Sequence, residues 1–293
     1  MSGDKEKLQS QLKTAVLITC FNRKEKTRAC LDNLFNQKLP QGMQLEVFLC
    51  DDNSSDGTGQ MIRTHFPQVN LTFGTGNLYW GGGMRQAWQH AKAQGSFDFY
   101  LWLNDDTVLY PNALQNLWEE FAKLPTQLSI LIGACAIPGT QKFAYGGHDQ
   151  SIRPLPPNGT LQKITFMNGN LVLIPAEVEQ ILGLISSKYT HYLGDYDYSM
   201  RAQQAGFSCY TSTAYLAECG VNDLPYWADP ELSFIARWRL AHSVKGLALE
   251  EYIHFKSYHW GKWIGFKSRI EVYLKLIFPH YYVEFRKFIS GKK

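Results

Sequence analysis

Residues 100–109, YLWLNDDTVL, run from four apolar residues straight into Asn104, Asp105 and Asp106. A short apolar run bounded by turn residues fits a buried strand, so the polar triplet falls at that strand's carboxyl end. In open α/β sheets, ligands gather in the crevice outside the carboxyl ends of the strands. Two adjacent carboxylates there repel each other unless a cation or hydrogen-bond donors offset the charge. A hard divalent ion, bound by one or two carboxylates and by substrate phosphates, is one such offset. The bland alternative is a capped turn, because Asp-Asp-Thr ahead of Pro111 also suits a helix start.

On either side of this stretch the chain alternates strands and helices. Residues 14–20 (TAVLITC) and 45–50 predict buried strands, the second ending at Asp51 and Asp52. Asn22 is a candidate cap for a helix over 24–37, and a short helix runs toward His65. A third strand covers 69–73. A loop with five glycines covers 74–83, and a helix follows from about 84 to 93. The fourth strand is 97–103, and a helix over 112–124 comes next. Alternation over about 120 residues predicts an α/β fold with a mostly parallel central sheet and helices on both faces. Further on, strands are expected at 129–137, 142–147 and 171–174 and extended chain at 208–212. Helices are expected up to Leu182, over 194–205 and over 231–250. No repeat or low-complexity linker interrupts the chain. The expected organisation is a catalytic domain over 1–230 and a helical, basic extension over 231–293.

The 293 residues are 45% hydrophobic and 19% charged, an ordinary globular composition with ample core. No stretch reaches the roughly 18–20 apolar residues of a membrane-spanning helix. The polar start, MSGDKEKLQSQLK, lacks the apolar stretch of a secretory signal and predicts a cytoplasmic protein. The six cysteines form no Cys-x-x-Cys pair, and several lie in apolar runs; they read as small buried hydrophobes in a reducing compartment. Residues 254–293 hold nine Lys and Arg against two Asp and Glu, while the other 253 residues hold 20 against 24. The basic end is therefore a separate feature.

Polar clusters at 19–22, 51–56 and 104–106 fall on one edge of the sheet if its strands are parallel. Such a set suits a nucleotide: carboxylates accept from a base or ribose, and loop amides face phosphates. The glycine loop, GTGNLYWGGGMRQAW, permits close backbone approach, and Arg85 offers a phosphate-matching fork. The loop is not G-x-G-x-x-G after the first strand, and no G-x-x-x-x-G-K-[ST] occurs, so dinucleotide-binding and P-loop readings fall.

Five motifs in series carry a resemblance: TCFNR at 19–23, CDDNSSDGT at 50–58, GNLYWGGG at 76–83, LNDDT at 103–107 and GDYDYSMRAQQAGF at 194–207. In order and spacing they resemble family 2 glycosyltransferases, and most closely the bacterial, rhamnosyltransferase-like transferases that build surface polysaccharides. The resemblance implies a GT-A (Rossmann-like) fold, an inverting mechanism and a nucleotide-diphosphate sugar donor, of the UDP or dTDP type. By motif position it implies that Thr19 and Phe21 border the base and Asp52 binds the base edge. Asp105 lies near the ribose, and Arg23, Asn77, Gly82, Arg85 and Asn104 complete the donor site. Asp106 becomes the ligand of a divalent metal, Mn²⁺ or Mg²⁺, in a motif whose first position here is Asn104.

Inversion by single displacement needs a base for the acceptor hydroxyl and stabilisation of the departing diphosphate on the opposite side of the sugar. Motif position makes Asp195 the base, preceded here by Gly194 where many relatives carry Glu. Its bland alternative is a helix cap. Asp197 joins the acceptor and sugar pocket, although its spacing from Arg201 also suits an ion pair. The FMNGN run resembles a pocket-lining loop and brings Asn168, Gly169 and Asn170. Trp80, Tyr226 and Trp227 are candidate sugar-stacking faces or, equally, core aromatics. Relatives often carry a metal-binding His where this chain has Glu218 and Cys219, and Glu218 is expected at the core edge or in solvent. His148 and His191 are expected to be structural.

The acceptor implied is a glycan or a lipid-linked glycan. Residues 254–293 contain 11 aromatic residues interleaved with Lys and Arg, which suits an anionic membrane interface on the inner face of the membrane. Packing against the catalytic domain is the alternative, and no nucleic-acid motif accompanies the charge. Two rivals stand beside the transferase. A sugar-phosphate nucleotidyltransferase would need a glycine-rich basic segment after the first strand, which residues 19–23 lack. A non-catalytic nucleotide-sugar binder on the same scaffold is the other.

Overall fold

The computed structural model describes residues 12–221 and 226–281. Most of the polar start, and residues 282–293 of the basic end, lie outside the described residues. In chain order the elements are β1 (Leu12–Cys20), α1 (Lys24–Phe35), β2 (Met43–Asp51), α2 (Thr58–His65), β3 (Asn70–Phe73), α3 (Tyr79–Gln94) and β4 (Phe99–Leu103). Next come β5 (Thr107–Leu109), α4 (Ala113–Ala122), β6 (Ser129–Ala136), β7 (Phe143–Tyr145), β8 (Gly147–His148), β9 (Gln162–Lys163), β10 (Phe166–Met167) and β11 (Leu171–Pro175). The chain continues through α5 (Ala176–Leu182), α6 (Gly194–Gln204), β12 (Ser208–Cys219), α7 (Phe234–His242), α8 (Leu249–Trp260) and α9 (Lys262–Ile277).

The main sheet is ordered β3-β2-β1-β4-β11-β6-β12-β5, with β7 beside β6 and β9 beside β12. From β3 to β4 all pairs are parallel. β11 then runs antiparallel between β4 and β6, and β12 is parallel to β6. Alternate residues of β1 feed the two faces: Val16, Ile18 and Cys20 join the core beneath α1, α2 and α4. Ala15 and Leu17 join the core beneath α3 and α6, where Trp88, Trp102 and Tyr198 are fully buried. Burial on both faces accounts for the continuous apolar runs in the sequence.

Several boundaries differ from the sequence reading, each for a tertiary reason. α3 begins at Tyr79, so three of the five loop glycines lie inside a helix. A Cβ on Gly83 would fall 1.9 Å from the Thr19 hydroxyl, and one on Gly81 would fall 2.6 Å from the Tyr189 carbonyl oxygen; the glycines let α3 press onto its neighbours. Asp105 and Asp106 lead into β5 rather than a helix, because β5 pairs with the end of β12. That pairing extends β12 through residues 213–219, beyond the expected 208–212. The helical run over 231–250 splits into α7 and the start of α8, with Ala248 in the left-handed region at φ 49°. Asn22 does not cap α1. Its Oδ1 accepts from Ser55 N–H at 2.7 Å, and Asp56 Oδ2 instead accepts from the first-turn amide of Lys24 at 2.9 Å.

The last three helices share a small core of Ala241, Leu249, Ile253, Val272 and Leu276. α8 also docks on the sheet domain. Phe255 packs with Phe166 and Tyr189, and Glu251 accepts from the Thr190 amide at 2.9 Å. Among the described residues, no helix is long and apolar enough to cross a membrane.

Candidate active site

The parallel strands deliver their polar ends to one edge. Thr19 closes β1 with its hydroxyl on the Cys50 carbonyl at 3.2 Å. Phe21, just beyond, is exposed. Asp52 follows β2 and is buried; its two oxygens accept from the amides of Gly76, Leu78 and Tyr79 at 2.7–3.0 Å. The carboxylate expected at a base edge thus shapes the glycine loop. Asn77 of that loop is exposed, and Gly82 is buried in the first turns of α3.

The triplet after β4 is organised by partners from four other segments. Asn104 accepts from the Trp80 indole N–H at 2.8 Å. Arg23, at the start of α1, donates from one nitrogen to Asp105 at 3.2 Å and to Asp106 at 2.8 Å. Thr27, one turn on, donates to Asp105 at 3.3 Å. Burial, followed by the charge of Asp106, pushes the Asp105 carboxyl up to about 7 against Arg23 and Thr27. Cys219 donates its thiol to Asp106 at 3.6 Å, and burial together with Asp106 pushes that thiol up to about 12. Strand alternation separates Cys219 from Glu218, which instead accepts from the Tyr110 hydroxyl at 3.2 Å.

Asp195 stands in the first turn of α6. It accepts from the amides of Gly169 at 3.0 Å and Tyr196 at 2.8 Å, the arrangement a helix N-terminus favours. Among the described residues no cation pairs with it, and burial lifts its carboxyl to about 6.

Two consecutive residues join the acidic groups. Gly169 donates to Asp195, and the Asn170 carbonyl accepts from the Asn104 amide at 3.0 Å. Asn170 also donates its side-chain amide to Cys219 at 3.3 Å, one contact from Asp106. Trp80 spans the same gap. Bonded to Asn104 at one end, its indole packs so closely on Gly169 that an added Cβ would fall 2.4 Å from it. At Gly194 an added Cβ would meet the indole at an ordinary 3.5 Å and Ile185 more tightly at 3.0 Å. Asn168 pairs through both its backbone and its side chain with Gly146.

Some expected site residues are committed elsewhere. Asp197 is buried, with one oxygen on Arg201 at 2.8 Å and the other on His259 of α8 at 2.9 Å. That leaves it tied into the fold rather than open to an acceptor. Arg85 donates to the carbonyls of Ser186 and Tyr189 at 2.8 and 3.0 Å, turned toward the 186–189 loop. Trp80 is a strut, set edge-on to Trp102. Trp227 packs on the core of the last three helices. Sequence reasoning missed the Arg23 bridge, Thr27 and the placement of His191. The His191 ring lies on Tyr192 and Tyr79. Burial, with Lys245 and Arg23 nearby, lowers its pKa to about 4 and keeps it neutral. The spacing of Arg23 and Thr27, one helical turn, was the available signal for that pair.

A divalent cation is tested by the donor set. Among the described residues no group of three or more His, Cys, Asp or Glu side chains is arranged to hold one. A hard cation needs only one or two carboxylates when phosphates supply the remainder. Asp106 fits that role, with Arg23 serving as its counter-cation in the protein alone.

Residues 15–188 match the family described as Glycosyl transferase family 2. No curated protein matches the sequence. Solved structures similar to it include the mannosyltransferase PcManGT from Pyrobaculum calidifontis in complex with GDP-Man and Mn²⁺. That likeness has a TM-score of 0.52 at 16% identity, covering 86% of this chain and 64% of that one. S. aureus TarS 1-349 in complex with UDP gives a TM-score of 0.55 at 14% identity, covering 96% and 75%. GalNAc-T7 with UDP, GalNAc and Mn²⁺ gives 0.55 at 15%, covering 73% and 44%. The chain thus spans less than two thirds of the mannosyltransferase and under half of GalNAc-T7. At these identities the likeness is one of fold.

Proposed function

The chain belongs to glycosyl transferase family 2, and from that premise we propose that it is an inverting transferase. It moves a sugar from a nucleoside-diphosphate donor to a hydroxyl of a glycan or lipid-linked acceptor. One observation carries the reading: Gly169 and Asn170, adjacent in sequence, hold Asp195 on one side and the Asn104-Asp105-Asp106 triplet on the other. A displacement needs a proton acceptor and a leaving-group site a sugar's width apart. Asp195 takes the proton of the acceptor hydroxyl as that hydroxyl's oxygen bonds to the anomeric carbon. The bond from that carbon to the diphosphate breaks, and its electron pair leaves with the nucleoside diphosphate. A carboxyl lifted to about 6 suits a base, since the ideal catalytic pKa lies near the operating pH.

Asp106 would hold a divalent cation, Mn²⁺ or Mg²⁺, which when bound supplies positive charge for the departing diphosphate. Arg23 offers a second positive charge on that side, and Asp105 fixes its position. The donor we propose is of the UDP or dTDP type; the GDP-Man, UDP and Mn²⁺ held by similar structures support the broader class of nucleotide-sugar donors with a divalent metal.

The test is a thermal-shift screen of nucleotides and nucleotide sugars with each metal, followed by donor turnover. A bound donor raises the melting temperature by mass action. EDTA and Asp106→Ala are expected to abolish both the shift and the turnover. Tight donor binding without turnover on any acceptor would favour a non-catalytic binder.

A further inference from the structure

α9 presents two opposed apolar faces. Gly265, Ser268, Val272 and Leu276 are buried. Trp263, Phe266, Ile270, Leu274 and Ile277 are 44–63% exposed. Their spacing of three or four residues sets them in one stripe, about half a turn from the buried face. Tyr281, beyond the end of α9, is also 77% exposed. Trp238 of α7 stacks on Tyr273 of α9 at 5.8 Å, and the exposed Phe234 packs on Trp238 at 5.9 Å. A continuous exposed apolar surface marks an interaction site.

Charge identifies the occupant. Lys262 and Lys267 flank the stripe, and Lys267 lies over the Trp263 ring. Arg269 and Lys275 pair with Glu250 and Glu271, whereas among the described residues Lys262 and Lys267 of α9 have no carboxylate partner. Residues 254–293 carry seven more basic than acidic side chains. A second copy of the chain would set like charges against each other. An anionic lipid surface accepts the lysines at its phosphates and the stripe below them. We propose that α9 lies in the headgroup plane of an anionic bilayer with residues 263, 266, 270, 274 and 277 inserted. α8 lies between α9 and the sheet domain, so the candidate site is held near membrane-borne acceptors.

The test is flotation of the full chain with vesicles of phosphatidylcholine and about one-third phosphatidylglycerol. It uses neither donor nor acceptor, so its result is independent of the transferase reading. Binding is expected to fall at least about tenfold on pure phosphatidylcholine and severalfold at about 0.5 M salt. Phe266→Glu with Leu274→Glu is expected to cost at least about tenfold without moving the melting temperature, because both side chains are exposed. Lys262→Glu with Lys267→Glu, which spares the stripe, should lose the salt-sensitive part alone. No flotation, or flotation unchanged by both double variants, overturns the proposal. So does a lipid-free dimer, seen by light scattering, that the glutamate stripe variant dissociates.

Discussion

Asp195 and Asp197 stand two residues apart on α6, and the fold treats them in opposite ways. Asp197 is enclosed by a guanidinium and an imidazole. Among the described residues Asp195 meets backbone amides alone, and burial lifts it to about 6. Buried charge with matched partners holds a structure together; buried charge with amide partners alone remains free to take up a proton. The same helix therefore carries a tie to the C-terminal helices and a candidate base. Two residues are a little over half a helical turn, so Asp195 and Asp197 leave α6 on opposite sides, and His259 of α8 meets the side of Asp197.

The sharpest way to break this contrast is to neutralise each acid in turn. Asp195→Asn is expected to lower turnover by about 10²–10⁴-fold with little change in melting temperature. Asp197→Asn should do the reverse, losing stability with turnover per folded molecule retained. Equal turnover losses in the two variants would dissolve the distinction. Arg201→Ala leaves Asp197 short of its main partner and removes donors to the Leu182 and Leu184 carbonyls. Breaking a buried ion pair costs about 3–5 kcal/mol, and urea unfolding of the variant measures it.

The smallest expected effect is on pH dependence. If Asp195 is the base, turnover rises with pH and levels off above about 6. Stability moves the other way. A carboxyl raised above its unfolded value favours the fold while protonated, so its contribution is full below about 4 and is lost as pH rises through about 6. Asp195→Asn should flatten both curves, as read by initial rates and by melting temperature between those limits.

Much of the fold was legible because its strands are buried on both faces and its helices are amphipathic. Residues 14–20, 45–50 and 97–103 declared themselves as apolar runs ending in polar turns, and the observed strands match them within two residues at either end. The glycine loop was only half legible. Three of its glycines serve helix packing, and their neighbours Thr19 and Tyr189 come from distant parts of the chain. Arg85 and Trp80 looked like ligand-facing residues because their chemistry suits a ligand. Both meet protein groups that no local pattern announces.

Sequence by itself determined the α/β alternation and the family, and it singled out the acids at residues 106 and 195 as candidates, since these depend on local periodicity and on motif order. Tertiary structure alone decided that, among the described residues, Asp106 is paired with a cation and Asp195 with backbone amides. It set Cys219 beside Asp106 through the pairing of β5 with β12, and it sent His259 from α8 to Asp197. The physical reason is that desolvation and charge pairing depend on neighbours in space, and those neighbours lie up to 113 residues away along the chain.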